Sequence, residues 1–378
     1  MSNKTINLLK KLIEIPSYVG EGVNESEIGN FVYDFLKKNT NLEVEKQFVE
    51  DKRFNIVAYK NPNPELMFFS HLDTVPPKNF KSNCTKPIEK DGKIFGLGSV
   101  DMKSGLAVSL SIANKFKNND NIAYIFSVDE EYEFKGAKAL VKKYKFKPKL
   151  IINPEPTSLQ ILNSCRGVTE FTLKFHGKSC HAGSKNLGIN AIEKSVELFD
   201  ILQKEISKYD NESGKNSLNL AGLNGGILRE NNQVIGSGNL VPNYASCIAE
   251  IRISNRKLTK NFIENKINSI SKKIGIEVSN IEFNFLMNPA FTPKSKLKNF
   301  ENILKETNIN PIYRDINNSG YYEVQFLQEN WGSDILIFGP SPYEKSHQEE
   351  EYVEIKTINI VEKVFEDFIN NYYTRKKI

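Results

Sequence analysis

The chain has 378 residues, enough for two compact domains. With 39% hydrophobic and 26% charged residues, and 24 Phe and 15 Tyr, it can bury a sizeable core, which excludes a largely disordered chain. The net charge of +5 is nearly balanced, and apart from the short tail Arg375-Lys376-Lys377 there is no basic block of nucleic-acid type. Cys84, Cys165, Cys180 and Cys247 form no C-x-x-C pair, so the expectation is reduced thiols in a cytoplasm, not a zinc finger or disulfide framework. No stretch nears the ~20 apolar residues of a membrane span. Residues 1–13, broken by Lys and Asn, do not read as a signal peptide.

In chain order, apolar residues at helical spacing predict helices over Lys4–Ile15 and Glu25–Lys38. Asn55–Tyr59, Leu66–Phe69, Ile122–Val128, Leu150–Ile152 and Ile335–Phe338 are short apolar runs of the kind found in strands buried on both faces. Helical patterns at Ser104–Phe116 and Lys135–Tyr144 alternate with them, which predicts a mostly parallel α/β sheet with helices on both faces. The middle of the chain differs. Val168–Phe175, Leu218–Ile227, Ala245–Ile253 and Val278–Leu286 are half-exposed strands, and Gly188–Ile206 and Lys260–Ile274 are helices. This predicts an inserted α+β domain with an antiparallel sheet at 166–288, between segments 1–165 and 289–378 of the first domain, which ends in a helix at Ile355–Tyr372.

Ligands in open α/β sheets bind beyond the carboxyl ends of the strands. The loops there carry Ser70-His71-Leu72-Asp73, Asp129-Glu130-Glu131, Asn153-Pro154-Glu155 and Gly339-Pro340-Ser341 with His347 beyond. Gly96-Leu97-Gly98-Ser99-Val100-Asp101 precedes a helix. Each motif alone is commonplace; their weight lies in five loops that each deliver a His or a carboxylate. If His71, Asp101, Glu131, Glu155 and His347 meet, three carboxylates at one point need cations to stay ionised. Imidazole plus carboxylate suits two zinc ions, with cobalt or manganese as alternatives. Asp73 is placed to accept the second ring N–H of His71, and Glu130 to act as general base.

These motifs, with Arg166-Gly167-Val168, Gly177-Lys178-Ser179-Cys180-His181-Ala182, Asn239-Leu240-Val241-Pro242 and Glu351-Tyr352-Val353, resemble the zinc aminoacylase and carboxypeptidase family. That family includes acetylornithine deacetylase, succinyl-diaminopimelate desuccinylase, acetyl-lysine deacetylase, carboxypeptidase G and dipeptidases. The resemblance implies that His71 and Glu155 hold one metal, Glu131 and His347 the other, and that Asp101 bridges. It implies Glu130 as base and proton shuttle, and a homodimer through the inserted domain, with His181 reaching the partner's site to stabilise the oxyanion. Arg252 would bind the substrate carboxylate with Asn239 near it, and Gly339 would lie at the substrate. The expected substrate is a small N-acyl amino acid, acetylornithine first, in arginine or lysine biosynthesis. Succinyl-diaminopimelate, acetyl-lysine and dipeptides are the alternatives. A non-catalytic binding protein would lack a ligand or Glu130, and every position is filled. The family's Gly-Thr-Ser-Asp loop is replaced here by Asn317-Asn318-Ser319-Gly320-Tyr321-Tyr322. His176 is expected to be a surface or packed residue, and Cys165 and Cys247 core residues.

Overall fold

The computed structural model describes residues 3–20, 22–77, 83–318 and 320–374; Ser319 and the basic tail at 375–377 lie outside the described residues. Two compact units are formed, one of Met1–Ser164, Phe291–Asp315 and Tyr322–Ile378, the other of Cys165–Ala290 and Ile316–Tyr321.

In the first unit a six-stranded sheet runs in the order Glu43–Glu50, Arg53–Tyr59, Ile122–Ser127, Leu66–His71, Leu150–Asn153, Asp334–Ile337. The last four are mutually parallel, and the first two are added antiparallel. Leu66–His71 and Ile122–Ser127 are buried along their whole length. Alternate residues face opposite layers. Phe68, Tyr124 and Leu336 pack with the helices Asn3–Glu14, Ser26–Asn39, Lys103–Lys115, Lys298–Glu306 and Ile355–Thr374. The other face is covered by Lys135–Lys143 and Val324–Trp331, where Trp331 meets Phe146 edge-on and donates to the Tyr144 carbonyl. Burying one such Phe or Leu contributes roughly 1.5–3 kcal/mol. Glycine at 105 lets the helix Lys103–Lys115 press against the loop after Leu150–Asn153, because a Cβ there would lie 2.0 Å from the Pro154 carbonyl oxygen.

The second unit has a five-stranded antiparallel sheet ordered Val234–Ile235, Ser217–Leu228, Tyr244–Ile253, Gly167–His176, Glu277–Met287. Its inward residues Phe171, Phe175, Cys247 and Ile251 pack under the helices Ala191–Ser207 and Lys260–Ile274. The first helix starts at Ala191, later than expected, because the Asn190 side chain caps it by accepting from the Ile192 and Glu193 amides. Such a cap contributes about 1 kcal/mol. Cys165 and Cys247 are both buried. His176 is partly buried, with its Nε2 2.7 Å from Ser279 Oγ.

Two features depart from the sequence reading. Residues 316–321, expected within 289–378 of the first domain, belong with the second unit. There the Asn317 carbonyl accepts from Arg166 and its side chain from the Lys215 amide, and Tyr321 lies against Phe285. The edge strand Glu43–Glu50 had no expectation, because Glu-Val-Glu-Lys-Gln-Phe-Val-Glu reads as a solvated segment; only Val44 and Gln47 are buried in it.

Candidate active site

Parallel pairing sets the site. Leu66–His71, Ile122–Ser127, Leu150–Asn153 and Asp334–Ile337 run in the same direction, so their carboxyl ends fall on one edge of the sheet. His71 is the last residue of its strand and pairs with Ser127, after which the chain turns into Asp129-Glu130-Glu131. Glu155 follows the third strand and His347 the fourth.

The five expected ligands come together. His71 Nε2 lies 3.2 Å from Asp101 Oδ1 and 3.6 Å from Glu155 Oε1. His347 Nε2 lies 3.1 Å from Glu131 Oε1 and 3.5 Å from Asp101 Oδ2. The Asp101 carboxylate therefore sits between two histidines, one on each oxygen, and each histidine also meets a glutamate. Single donor atoms of His71, Asp101 and Glu131 fall within 4.8 Å of one another, a spacing that could hold a metal ion. The His71, Glu131 and Glu155 side chains are buried, Asp101 is 17% exposed and His347 50%, so the cluster opens on the His347 side.

The donor set fits cations. His71 Nδ1 is 3.0 Å from the Asp73 carbonyl oxygen. A carbonyl only accepts, so Nδ1 carries the proton and, in the neutral ring, Nε2 turns a lone pair towards two carboxylates. Only a proton or a metal satisfies that arrangement. Protons show the strain. Burial opposes the charge on His71, yet Glu155, Asp101 and Asp73 raise its pKa well above the imidazole range. Hydrogen bonds to Asp101 and Glu131 push His347 up to about 10. Burial, aided by the neighbouring carboxylates, raises Glu130 and Glu155 well above the carboxylate range despite His71. Asp101 is held below it, because the two imidazoles outweigh its burial.

Asp73 works differently from expectation. Its carboxylate is 3.5 Å from His71 Nδ1, while its own carbonyl is nearer and takes the ring proton. The carboxylate instead accepts the Glu130 amide at 3.1 Å and the Glu131 amide at 3.0 Å, and so orients both glutamates. The Glu130 carboxylate has no hydrogen-bond partner among the described residues.

Two acids had no assigned role in the sequence reading. Glu351, quoted only as part of a motif, is buried and accepts the amides of Gly98, Val100 and Asp101 at 2.7–2.9 Å, which fixes the loop that carries Asp101. Glu323 is buried beside Ser127, whose hydroxyl lies 2.7 Å from Oε2, and burial pushes it up to about 8. A glutamate before a helix reads as a solvated helix start, so nothing in the sequence singles it out.

The remaining expectations are met unevenly. Gly339 is buried and has no face for substrate. A Cβ there would lie 2.1 Å from the Glu155 carbonyl oxygen, so glycine serves the close approach of two loops. In the second unit, His181 is exposed, and its Nδ1 accepts the Gly183 amide at 3.0 Å. Asn239 is its neighbour: its carbonyl accepts the Ala182 amide at 2.8 Å, and Leu240 bridges His181. Arg252 gives Nε to Glu250 at 2.7 Å and faces the Tyr321 ring at 5.1 Å. The expectation that Asn239 lies near Arg252 is corrected. Asn239 precedes the strand Tyr244–Ile253 and Arg252 is near its far end, and a strand rises about 3.3 Å per residue.

Known proteins match this chain in sequence and in fold. The family model described as Peptidase family M20/M25/M40 matches residues 67–371. The chain belongs to this family. The resemblance read from its motifs is thus borne out, as is the expected pairing of a mostly parallel sheet with a separate antiparallel one. Among M20/M25/M40 relatives, a probable carboxypeptidase from Aspergillus clavatus is 29% identical over 287 residues, 70% of this chain and 66% of its own length. The chain spans just under two thirds of that relative, and 64% of a similar one from Aspergillus flavus. A succinyl-diaminopimelate desuccinylase from Wolbachia pipientis wMel is 28% identical, with 97% of this chain and 93% of the relative covered. An acetylornithine deacetylase from Buchnera aphidicola is 26% identical, with 97% of each covered. Solved structures share the fold: a tripeptidase from Staphylococcus aureus (TM-score 0.71, 21% identity, 97% of each chain) and an aminopeptidase from Bacillus cereus (TM-score 0.74, 19% identity, 97% of each). A Bacillus subtilis protein described as a dinuclear metal binding peptidase of the M20 family also aligns (TM-score 0.68, 13% identity, 97% of this chain and 96% of the other). Among the described residues, no helix is long and apolar enough to cross a membrane.

Proposed function

We propose that this chain is a two-metal amidohydrolase that cleaves the amide bond of an N-acyl amino acid. The observation that carries the reading is the Asp101 carboxylate, with His71 on one oxygen and His347 on the other, His71 also meeting Glu155 and His347 also meeting Glu131. His71, Glu155 and Asp101 would hold one ion, and His347, Glu131 and Asp101 the second, zinc first by donor chemistry and cobalt or manganese as alternatives. Bound there, such ions supply Lewis-acid polarisation of a carbonyl and lower the pKa of water to near neutral.

The protein's own groups do the rest. Glu130, with an unoccupied carboxylate, takes the proton of the attacking water and delivers it to the leaving amine. Asp73 keeps that glutamate and Glu131 in register through their amides. His181 is exposed and its Nε2 has no hydrogen bond among the described residues, which suits donation to the developing oxyanion from a partner subunit. Arg252 has Nη1 and Nη2 without hydrogen bonds among the described residues, which suits a substrate carboxylate. A homodimer through the inserted unit is supported by the strand Ser217–Leu228. Val234–Ile235 pairs only with its last two residues, and Val196 and Leu223 nearby in the unit are exposed.

Acetylornithine is the first substrate to try, then succinyl-diaminopimelate and acetyl-lysine. One observation favours a second reading, a dipeptidase or carboxypeptidase. The segment 316–321, in place of the Gly-Thr-Ser-Asp loop, brings the Tyr321 ring against Arg252 and so alters the carboxylate-binding surface. The test is amine release from these three compounds, acetylcitrulline and a few dipeptides, using protein assayed for bound metal. Turnover of the acylated amino acids supports the proposal. Turnover of dipeptides alone replaces it with the second reading, and full activity after metal removal ends both.

A further inference from the structure

Of seven arginines in a chain rich in lysine, Arg53 is nowhere among the groups assigned above, yet its side chain is only 9% exposed. Its guanidinium is the hub of a buried ionic cluster. Nε donates to Glu25 Oε2 at 2.7 Å and Nη2 to Glu25 Oε1 at 2.6 Å, a two-pronged contact. The same Nη2 donates to Asp129 Oδ1 at 2.7 Å, and Nη1 to Glu50 at 2.8 Å. The side chains of Glu25 and Asp129 are 0% and 3% exposed, so neither carboxylate has water as an alternative partner.

Asp129 is the residue immediately before Glu130, and its φ of 71° is in the left-handed region. A non-glycine residue is uncommon there and is held by its surroundings. Here they are explicit. The Asp129 amide donates to Glu25 Oε1 at 3.1 Å. Its Oδ2 accepts the Glu133 and Lys135 amides at 3.2 Å each, and its carbonyl accepts the Phe134 amide at 2.8 Å. The turn is thus closed by Asp129 on one side, while Asp73 grips the next two amides, those of Glu130 and Glu131, from the other. Asp73 belongs to the metal-site loop itself. Arg53 and Glu25 belong to an antiparallel strand and to the start of a helix, and tie the turn to the sheet.

We propose that Arg53, through Glu25 and Asp129, is a positioning residue for the reaction, fixing the backbone turn that aims the Glu130 and Glu131 carboxylates. The proposal rests on the reading of Glu130 as base and Glu131 as ligand. A lysine is a poor substitute, because one ammonium cannot reach three carboxylates with the fixed fork of a guanidinium. A clamp that serves stability alone would lower the melting temperature and leave turnover per folded molecule unchanged. A positioning clamp affects the turn and the chemistry together, since displacement of a catalytic group by about 1 Å can cost 10²-fold in rate.

The test is Arg53→Lys in the full-length, metal-loaded protein, read by steady-state kinetics on the best substrate of the panel and by amide hydrogen exchange. The expected result is a kcat lower by roughly 10- to 100-fold with KM within about threefold. Exchange at the Glu130, Glu131, Glu133 and Lys135 amides should rise at least ~10-fold, with strand amides such as those of Leu66–His71 unchanged. Asp129→Asn, which tolerates the left-handed backbone and keeps one acceptor oxygen, is expected to fall between wild type and Arg53→Lys in both readouts. Wild-type kcat in Arg53→Lys overturns the proposal, and so does a lowered kcat with unchanged exchange in the turn. If the wild-type protein turns over nothing in the panel, the functional reading has failed; the exchange arm alone then decides whether the clamp holds the turn.

Discussion

His71 is buried at a strand end, with its ring held between the Asp73 carbonyl and the carboxylates of Asp101 and Glu155. His181, in the antiparallel unit, is exposed, and its ring accepts only the amide of Gly183 in its own turn among the described residues. Arg53 and Arg252 differ in the same way. The first is enclosed by three carboxylates, whereas the second is 28% exposed and shares one Nε with Glu250. The first unit immobilises charge at the ends of parallel strands, where burial makes every unpaired group costly. The second presents adaptable groups on a half-covered sheet. On the proposed function this becomes a division of labour, with bond cleavage assigned to the enclosed cluster and substrate choice to the open one.

The largest test of that division is Glu130→Gln. It removes the uncommitted carboxylate and leaves the five ligands, so kcat should fall by roughly 10²–10⁴-fold while bound metal, measured by elemental analysis, is retained. Metal loss with the activity would mean that Glu130 is itself a ligand and the division is misdrawn. Asp101→Asn is the converse case. It removes the charge shared by both His–Glu pairs, and metal content and activity should fall together, with affinity weakened at least ~10-fold. Unchanged metal content would break the bridging assignment.

In the second unit, Arg252→Ala should raise KM about 10-fold or more for a substrate with a free carboxylate and change kcat little, with Arg252→Lys recovering only part. A pure kcat effect would place Arg252 with the enclosed cluster.

The smallest effect concerns the metal-free protein. His347 is raised to about 10, so it contributes stability that is fully present below about 6.5 and lost as pH rises through about 10. Glu323, an acid raised to about 8, acts in the same direction, since the native state binds more protons than the unfolded chain between about 4.5 and 8. Chelator-treated protein should therefore melt at a lower temperature as pH rises from 6.5 to 10, by a few degrees at most given the exposure of His347. Metal-loaded protein should lack the His347 part, because a ligated imidazole is already neutral. A melting temperature that climbs over this range without metal would contradict the pairing of His347 with Asp101 and Glu131.

The sequence by itself determined the class of architecture and which histidines and carboxylates lie just beyond the strand ends. Strands buried on both faces must be apolar throughout, so Leu66–Phe69 and Ile122–Val128 were legible, and the residues just beyond a parallel strand have one edge of the sheet to occupy. What only the tertiary structure decided are contacts between residues that no local pattern links. The Asp101 oxygens are divided between two histidines 276 positions apart in number, His71 and His347. Glu351 holds the amides of Gly98, Val100 and Asp101, and Arg53 joins Glu25 to Asp129. Asp73 brings its carbonyl closer than its carboxylate to the ring of His71. A buried acid and a solvated one look alike in a sequence. Only the packing that takes water away from Glu351, Glu323 or Glu25 turns a commonplace glutamate into a group that must find backbone amides, a hydroxyl or an arginine to satisfy it.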